Sequence, residues 1–188
     1  MQIKTLSLPG CLEISPKIVL DLRGEFIKPF IASEYREAGL CTAFSEEYYS
    51  RSVRGVVRGM HFQTPPHAYC KLVSCLHGQI RDVIIDLRVG SPKFGQCEVL
   101  ELDARDGKVL NLLPGIAHGF LALSDMGLVS YKVTSAYAPA YDNGIRWDSL
   151  PVDWGISAPV ISARDAAFPT LAEFSSPFIF PSEPTGAR

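Results

Sequence analysis

Between residues 71 and 135 the chain is cut by turn chemistry into short segments of β character, and this spacing constrains the fold more than any other feature. Residues 71–76 break at His77-Gly78, and residues 80–89, rich in β-branched side chains, follow. Gly90-Ser91-Pro92 leads into 96–103, and Asp106-Gly107 into 109–113. Pro114-Gly115 precedes 117–124, and Asp125-Met126-Gly127 precedes 128–135. Segments of this length with no helical period between them predict an antiparallel sandwich or barrel. Helix is expected only at 33–38, with Ser33 as candidate cap, and within 164–174. Neither a repeat nor a linker divides the chain. Residues 1–188 are therefore expected to form one domain with its core at about 10–175, and residues 182–188 are expected to fray.

Composition narrows the partners. A hydrophobic fraction of 47% with 20% charged residues is that of a soluble globular protein. A formal charge of −2 and a pI near 6.1 leave no electrostatic footprint for nucleic acid or an anionic membrane, so an anionic ligand must be small and held locally. No apolar run has the form of a signal peptide or a membrane span. Five cysteines without CxxC spacing fit reduced thiols and a cytoplasmic location.

The stretch "RGVVRGMHFQTPPHAYCKLV", residues 54–73, gathers more proton- and anion-binding groups than a buried strand needs. All four histidines (His61, His67, His77, His118) fall in the central β region, where imidazole suits proton transfer near neutrality. His77, beside Gly78, fits a turn; His61 and His118 lie inside strands. In a regular strand Arg58 and His61 point to opposite faces, and a bulge at Gly59 would reconcile them. Tyr131, between Val129 and Val133, is either a core tyrosine or a phenol aimed into a cavity. Asp82 and Asp86 share a face with Ile80 and Ile84, so at least one is expected to be buried and paired. A metal site would need His61, His67 and His118 to converge. Gln63 stands where a second histidine would complete a His-x-His pair, so no metal is expected.

The ordered set "DLRGEF", "RGVVRGMHFQ", "KLVSCLHGQIRDVIIDLRVGSPKFGQ", "LPGIAHGFLALSD", "YKVTSAYAP", "GIRWDSLPVDWGI" and "ISARDAAFPTLAEF" resembles the dTDP-4-dehydrorhamnose 3,5-epimerase family over most of residues 10–175. The resemblance implies an all-β, cupin-type antiparallel jelly roll with short peripheral helices. It also implies a homodimer that needs neither metal nor other cofactor. Its implied reaction inverts C3 and C5 of a nucleotide-diphospho-4-keto-6-deoxy sugar. By the same resemblance His61 matches the general base, Asp165 its orienting carboxylate, Tyr131 the acid on the opposite ring face, and Lys71 the lysine near the sugar carbonyl. Arg23 and Arg58 match arginines that engage the nucleotide sugar, while Phe26, Glu47, Gln63, His118 and Tyr137 match substrate-binding positions.

The chemistry accounts for these residue types. A hydrogen beside a ketone is removable because the carbanion delocalises onto the carbonyl oxygen; a base, an enolate stabiliser and an acid across the ring complete an inversion. Glu46, Glu47, Tyr48 and Tyr49 stand where the family commonly has a Gln-Asp-Asn-His-Ser pattern, and Lys28 where glutamate is common. The resemblance puts those positions on the nucleotide side, so thymine, uracil, cytosine and guanine stay open as the base. A C3-only epimerase, a 3,4-ketoisomerase and a non-catalytic sugar-binding jelly roll are the rival readings.

Overall fold

Alternating apolar residues in short segments have one stable outcome, two sheets that bury their facing sides against each other. The structure, a computed structural model, describes residues 1–181. Within them the elements run β1 (Gln2–Thr5), β2 (Leu12–Ser15), β3 (Ile18–Asp21), β4 (Gly24–Ile27), α1 (Ala32–Glu37), β5 (Glu46–Val53) and β6 (Val57–Gln63). They continue through β7 (Lys71–His77), β8 (Gln79–Asp86), β9 (Cys97–Asp103), β10 (Val109–Leu112), β11 (Ile116–Ala122), β12 (Met126–Val133), β13 (Asp142–Gly144) and α2 (Ala163–Ala166). One sheet has the order β1-β2-β10-β7-β12-β5 and the other β13-β6-β11-β8-β9, all pairs antiparallel. The pair β3–β4 forms a hairpin of its own. This is the expected all-β jelly roll with short peripheral helices.

Three apolar clusters hold the layers together. Val73, Leu110 and Val129 from the first sheet meet Ile80, Ile84 and Phe120 from the second. The outer side of the second sheet packs Val57, Met60, Phe62 and Val83 under Leu150, Trp154 and Phe178 from the C-terminal segment. Helix α1 covers the outer side of the first sheet through Tyr35, which packs with Ile14, Leu72 and Val109.

Four local expectations change in the structure. Strand β8 stops at Asp86 because its buried carboxylate takes hydrogen bonds from the Arg88 backbone and guanidinium at 2.7–2.9 Å and from Ser91 at 2.7 Å, which turns the chain. Ser33 does not cap α1; Ile31 occupies the cap position with no side-chain bond. The helix expected over 164–174 is one turn, capped by Ser162, whose hydroxyl accepts from Asp165 N at 3.0 Å. Residues 46–53, left without an element by the sequence, form an edge strand. The expected fraying of 182–188 lies outside the described residues.

The bulge in β6 governs the site. His61 pairs with His118 and Arg58 with Phe120, so three steps along β6 answer two along β11. The extra residue puts Arg58, His61 and Gln63 on the inner face, while Val57, Met60 and Phe62 face outward. Gly59 has φ +135°, and a Cβ there would stand 2.5 Å from the Gly119 Cα. Gly59→Ala should therefore destabilise the fold by about 2–4 kcal/mol, combining disfavoured φ with overpacking. Equilibrium denaturation checks this, and a loss below about 0.5 kcal/mol, the scale of an ordinary surface change, would contradict the assigned close approach.

Candidate active site

Residues of both sheets line a cavity of about 390 Å³. Its walls come from opposite sheets. Strand β6 supplies Arg58, His61 and Gln63, and β11 supplies His118. Facing them are Glu46, Tyr48 and Ser50 from β5, Lys71 from β7 and Tyr131 from β12. Asp142 and Arg164 stand in the wall from β13 and α2.

His61 and Asp165 form a pair across two elements. The Asp165 Oδ1 lies 2.9 Å from His61 Nε2, and Oδ2 accepts the Gly59 N–H at 3.2 Å. Because a carboxylate at Nε2 favours a proton there, Nδ1 is the basic nitrogen of the neutral ring. Desolvation raises the Asp165 carboxyl, but the bond and charge of His61, with help from Gly59 N–H and Ser162, outweigh it and hold the group below its ordinary range. An ionised Asp165 stabilises the imidazolium that forms when His61 takes a proton. The one-turn helix α2 thus brings the carboxylate to His61.

Lys71 and His118 line the cavity and Asp82 lies behind His118, all three buried. His118 Nε2 lies 2.6 Å from Asp82 Oδ2. Burial pushes the His118 pKa down against the opposing pull of Asp82, and the Lys71 and His61 charges add to the lowering. Among the described residues, Asp82 Oδ1 is a buried oxygen with no hydrogen-bond partner. Burial pushes Lys71 down to about 8, with Asp82 and Asp142 pulling the other way. The ammonium lies 5.2 Å from the Tyr69 ring centroid and 5.9 Å from that of Tyr131. An ammonium so desolvated is poised to meet negative charge developing on a ligand oxygen.

Tyr131 stands beside Lys71 on the neighbouring strand of the same sheet and faces His118 across the cavity, their ring centroids 5.9 Å apart. Burial raises its phenol well above the ordinary range, with Ser50 pulling weakly the other way, so it stays protonated at neutral pH. Its hydroxyl lies 3.3 Å from Ser50 Oγ. The site therefore holds the His61–Asp165 pair on one wall and a protonated phenol on the other.

Of the residues singled out from the sequence, His61, Lys71, Tyr131, Asp165, Arg58, Gln63, His118 and Tyr137 meet at or beside this cavity. Gln63 spends its amide on the backbone: Nε2 donates to His67 O at 3.0 Å and Ala136 O at 3.2 Å, and Oε1 accepts from Ala138 N at 2.6 Å. It anchors the loop that carries Tyr137. Glu47 is outside the cavity, because the period of two along β5 turns Glu46, Tyr48 and Ser50 inward and leaves Glu47 to Lys132 at 2.5 Å. Arg23 and Phe26 lie on the β3–β4 hairpin, exposed and away from this cavity. His67 packs on Tyr141 instead of joining His61 and His118. Among the described residues no three His, Cys, Asp or Glu side chains converge as metal ligands. Sequence reasoning places Glu46 and Tyr48 on the nucleotide side without choosing them as contacts, which recognising β5 as a strand would have done, and it misses Asp142 and Arg164.

Fold and cavity together define a jelly-roll enzyme with proton-transfer groups between its sheets. Comparison with known proteins narrows the class. The family profile described as dTDP-4-dehydrorhamnose 3,5-epimerase matches residues 5–173, and the chain belongs to that family. A relative of that name from Mycolicibacterium smegmatis is 37% identical over 97% of this chain and 92% of its own length. A dTDP-4-dehydrorhamnose 3-epimerase from Streptomyces niveus is 36% identical over 98% of this chain and 91% of its own. The crystal structure of a dTDP-6-deoxy-D-glucose-3,5-epimerase from Legionella pneumophila, in complex with dTDP-4-keto-L-rhamnose, superposes with a TM-score of 0.87. It is 36% identical and covers 93% of this chain and 94% of that one. No helix among the described residues is long and apolar enough to cross a membrane.

The lowered Lys71 pKa makes a stability prediction. Below pH 8 the lysine is charged in both folded and unfolded chains. Between about 8 and its unfolded value near 10.5 only the folded chain has released the proton, so stability rises with pH there. Relative to Lys71→Met, the wild type should therefore gain stability across that window, each pH unit being worth up to about 1.4 kcal/mol for one proton. Paired denaturation curves at pH 7.5 and 10 measure the gain; a difference independent of pH would contradict a desolvated lysine.

Proposed function

We propose that this protein inverts C3 and C5 of a dTDP-4-keto-6-deoxy sugar by proton removal and redelivery through an enolate. The observation that carries the reading is the facing arrangement of the His61–Asp165 pair and Tyr131 across one cavity. His61 Nδ1 takes the hydrogen beside the ketone, and Asp165 steadies the resulting imidazolium. Lys71 meets the negative charge on the enolate oxygen, a contribution of about 3–4 kcal/mol in a preorganised site. Tyr131 then delivers a proton to the opposite face of the carbon. Rotation of the bound ring or its enolate would bring the second carbon to the same groups.

Charge at the cavity wall suits a diphosphate. Arg58 is exposed and steadied by Ser52 Oγ at 2.9 Å, and Arg164 is half-exposed and bridged to Asp142 at 2.7 Å. The names of the relatives support dTDP as the nucleotide. A C3-only epimerase would use the same base and acid, and the Streptomyces niveus relative keeps that reading in view.

The working unit in this proposal is a homodimer. Leu20, Leu22 and Phe26 on the β3–β4 hairpin are exposed apolar side chains, and Arg23 beside them is an exposed cation. A hairpin that carries two residues expected to bind substrate, yet does not reach its own cavity, is suited to complete the cavity of a second copy. One domain per chain and a cytoplasmic location complete the proposal; the five free cysteines fit a reducing compartment.

Two outcomes follow. His61→Ala should abolish both turnover of the dTDP-4-keto-6-deoxy sugar and exchange of its ring hydrogens with solvent, read by NMR in deuterium oxide. Exchange near the wild-type rate would remove His61 as base. Sedimentation should give a dimer, and co-folding Arg23→Ala with His61→Ala chains should recover activity above that of either alone, since a mixed dimer has one complete site. A monomer with full activity would contradict the shared site.

A further inference from the structure

We propose that Tyr48 is a positioning residue for Tyr131, its ring holding the phenol aimed at the substrate carbon so that reprotonation inverts the centre. The inference rests on the assignment of Tyr131 as the acid. Strand β5 is an edge strand paired only with β12, and in that register Tyr48 stands directly opposite Tyr131. Their rings stack with centroids 4.8 Å apart and planes 21° from parallel. Cross-strand aromatic neighbours of this kind restrict one another's side-chain torsions.

Tyr131 is buried in the apolar cluster between the sheets, but little there fixes the direction of its phenol. Its hydroxyl contact to Ser50 Oγ, at 3.3 Å, is long for bonds between oxygens. His118 approaches edge-on at 5.9 Å and the Lys71 ammonium lies 5.9 Å from the ring centroid, so neither packs flat against it. The stack on Tyr48 is the one flat contact recorded for this ring among the described residues.

Orientation matters because two groups compete for the enolate. After His61 has taken the proton it can return it to the same face, restoring the starting sugar. For inversion the Tyr131 Oη–H bond breaks as the enolate's electron pair forms a C–H bond on the other face. The imidazolium of His61 then releases its proton to solvent and the Tyr131 phenolate takes one back, by way of the cavity mouth. A phenol that swings away from the carbon loses this competition without affecting proton removal. Burial pushes Tyr48's own phenol up to about 12, with Asp142 and Glu46 adding to the rise, so it is neutral at working pH. Its hydroxyl is not needed for the role proposed; its ring is.

The test measures the ratio of solvent-hydrogen exchange into unreacted sugar to formation of inverted product, by NMR in deuterium oxide at saturating dTDP-4-keto-6-deoxy sugar. Tyr48→Leu and Tyr48→Ala should raise that ratio at least about fivefold, as small misplacements of reacting groups do. Tyr48→Phe, which keeps the stack, should restore the wild-type ratio to within about twofold. Leu preserves bulk on the edge strand, so the measurement stands even where the Ala chain folds poorly. An unchanged ratio in the Leu variant, or exchange and inversion falling together, would overturn the inference. A Phe variant as impaired as Ala would also overturn it, by making the hydroxyl the working part. Tyr131→Phe in the same assay separates the two levels. If it leaves the ratio unchanged, the acid assignment fails and this inference with it. If it raises the ratio while Tyr48→Leu does not, only the positioning role fails.

Discussion

The backbones of Gly59 and Gly119 approach more closely than any side chain permits, and the register of β6 on β11 shifts there by one residue. That shift turns Arg58 and His61 to the same side of a strand that would otherwise alternate them. It also frees the Gly59 N–H to meet Asp165, so the carboxylate is held by the bulge and by the histidine at once. His61, the Asp165 carboxylate that meets it and the Arg58 cation of the wall thus depend on one irregularity. A regular β6 would bury the same residues and leave the cavity without its chemistry.

The interior is costly to build. Lys71, His118, Asp82 and Asp165 are all nearly inaccessible, and the orphaned oxygen of Asp82 has no partner among the described residues. Such groups destabilise a core unless they are paired, and the pairing here is partial. Apolar clusters on both outer faces of the sandwich, as well as between the sheets, compensate. A protonated phenol, a carboxylate below its usual range and a lysine lowered toward neutrality are the result. Environments that push acids and bases apart in this way are what proton-transfer sites require.

Much of this was legible in the sequence. Turn residues marked the strands from β7 to β12 to within a few positions, because apolar alternation and Gly or Pro punctuation are local signals. Gly59 announced the bulge through the conflict between Arg58 and His61. The rest depended on side-chain pairings that no periodicity reports. The end of β8 is decided by Asp86 binding Arg88 and Ser91, and the short α2 by Asp165 reaching Gly59 and His61. Glu46 faces inward and Glu47 does not, a parity that residues 46–53 disclose only once they are seen as a strand. Gln63 lines the cavity as the sequence suggests, but that its amide is also committed to the neighbouring loop is a tertiary fact. Arg23 and Phe26 sit on a hairpin whose destination no single chain reveals.

The central claim is that one cavity carries a base and an acid on opposite sides of a 4-keto sugar and inverts both flanking carbons. Wild-type turnover of a dTDP-4-keto-6-deoxy sugar in deuterium oxide tests it most directly, with NMR reading the position and configuration of the label. The account predicts product inverted at C3 and C5 with solvent deuterium at both carbons. Label and inversion at C3 alone, or inverted product that keeps its original hydrogens, would contradict it.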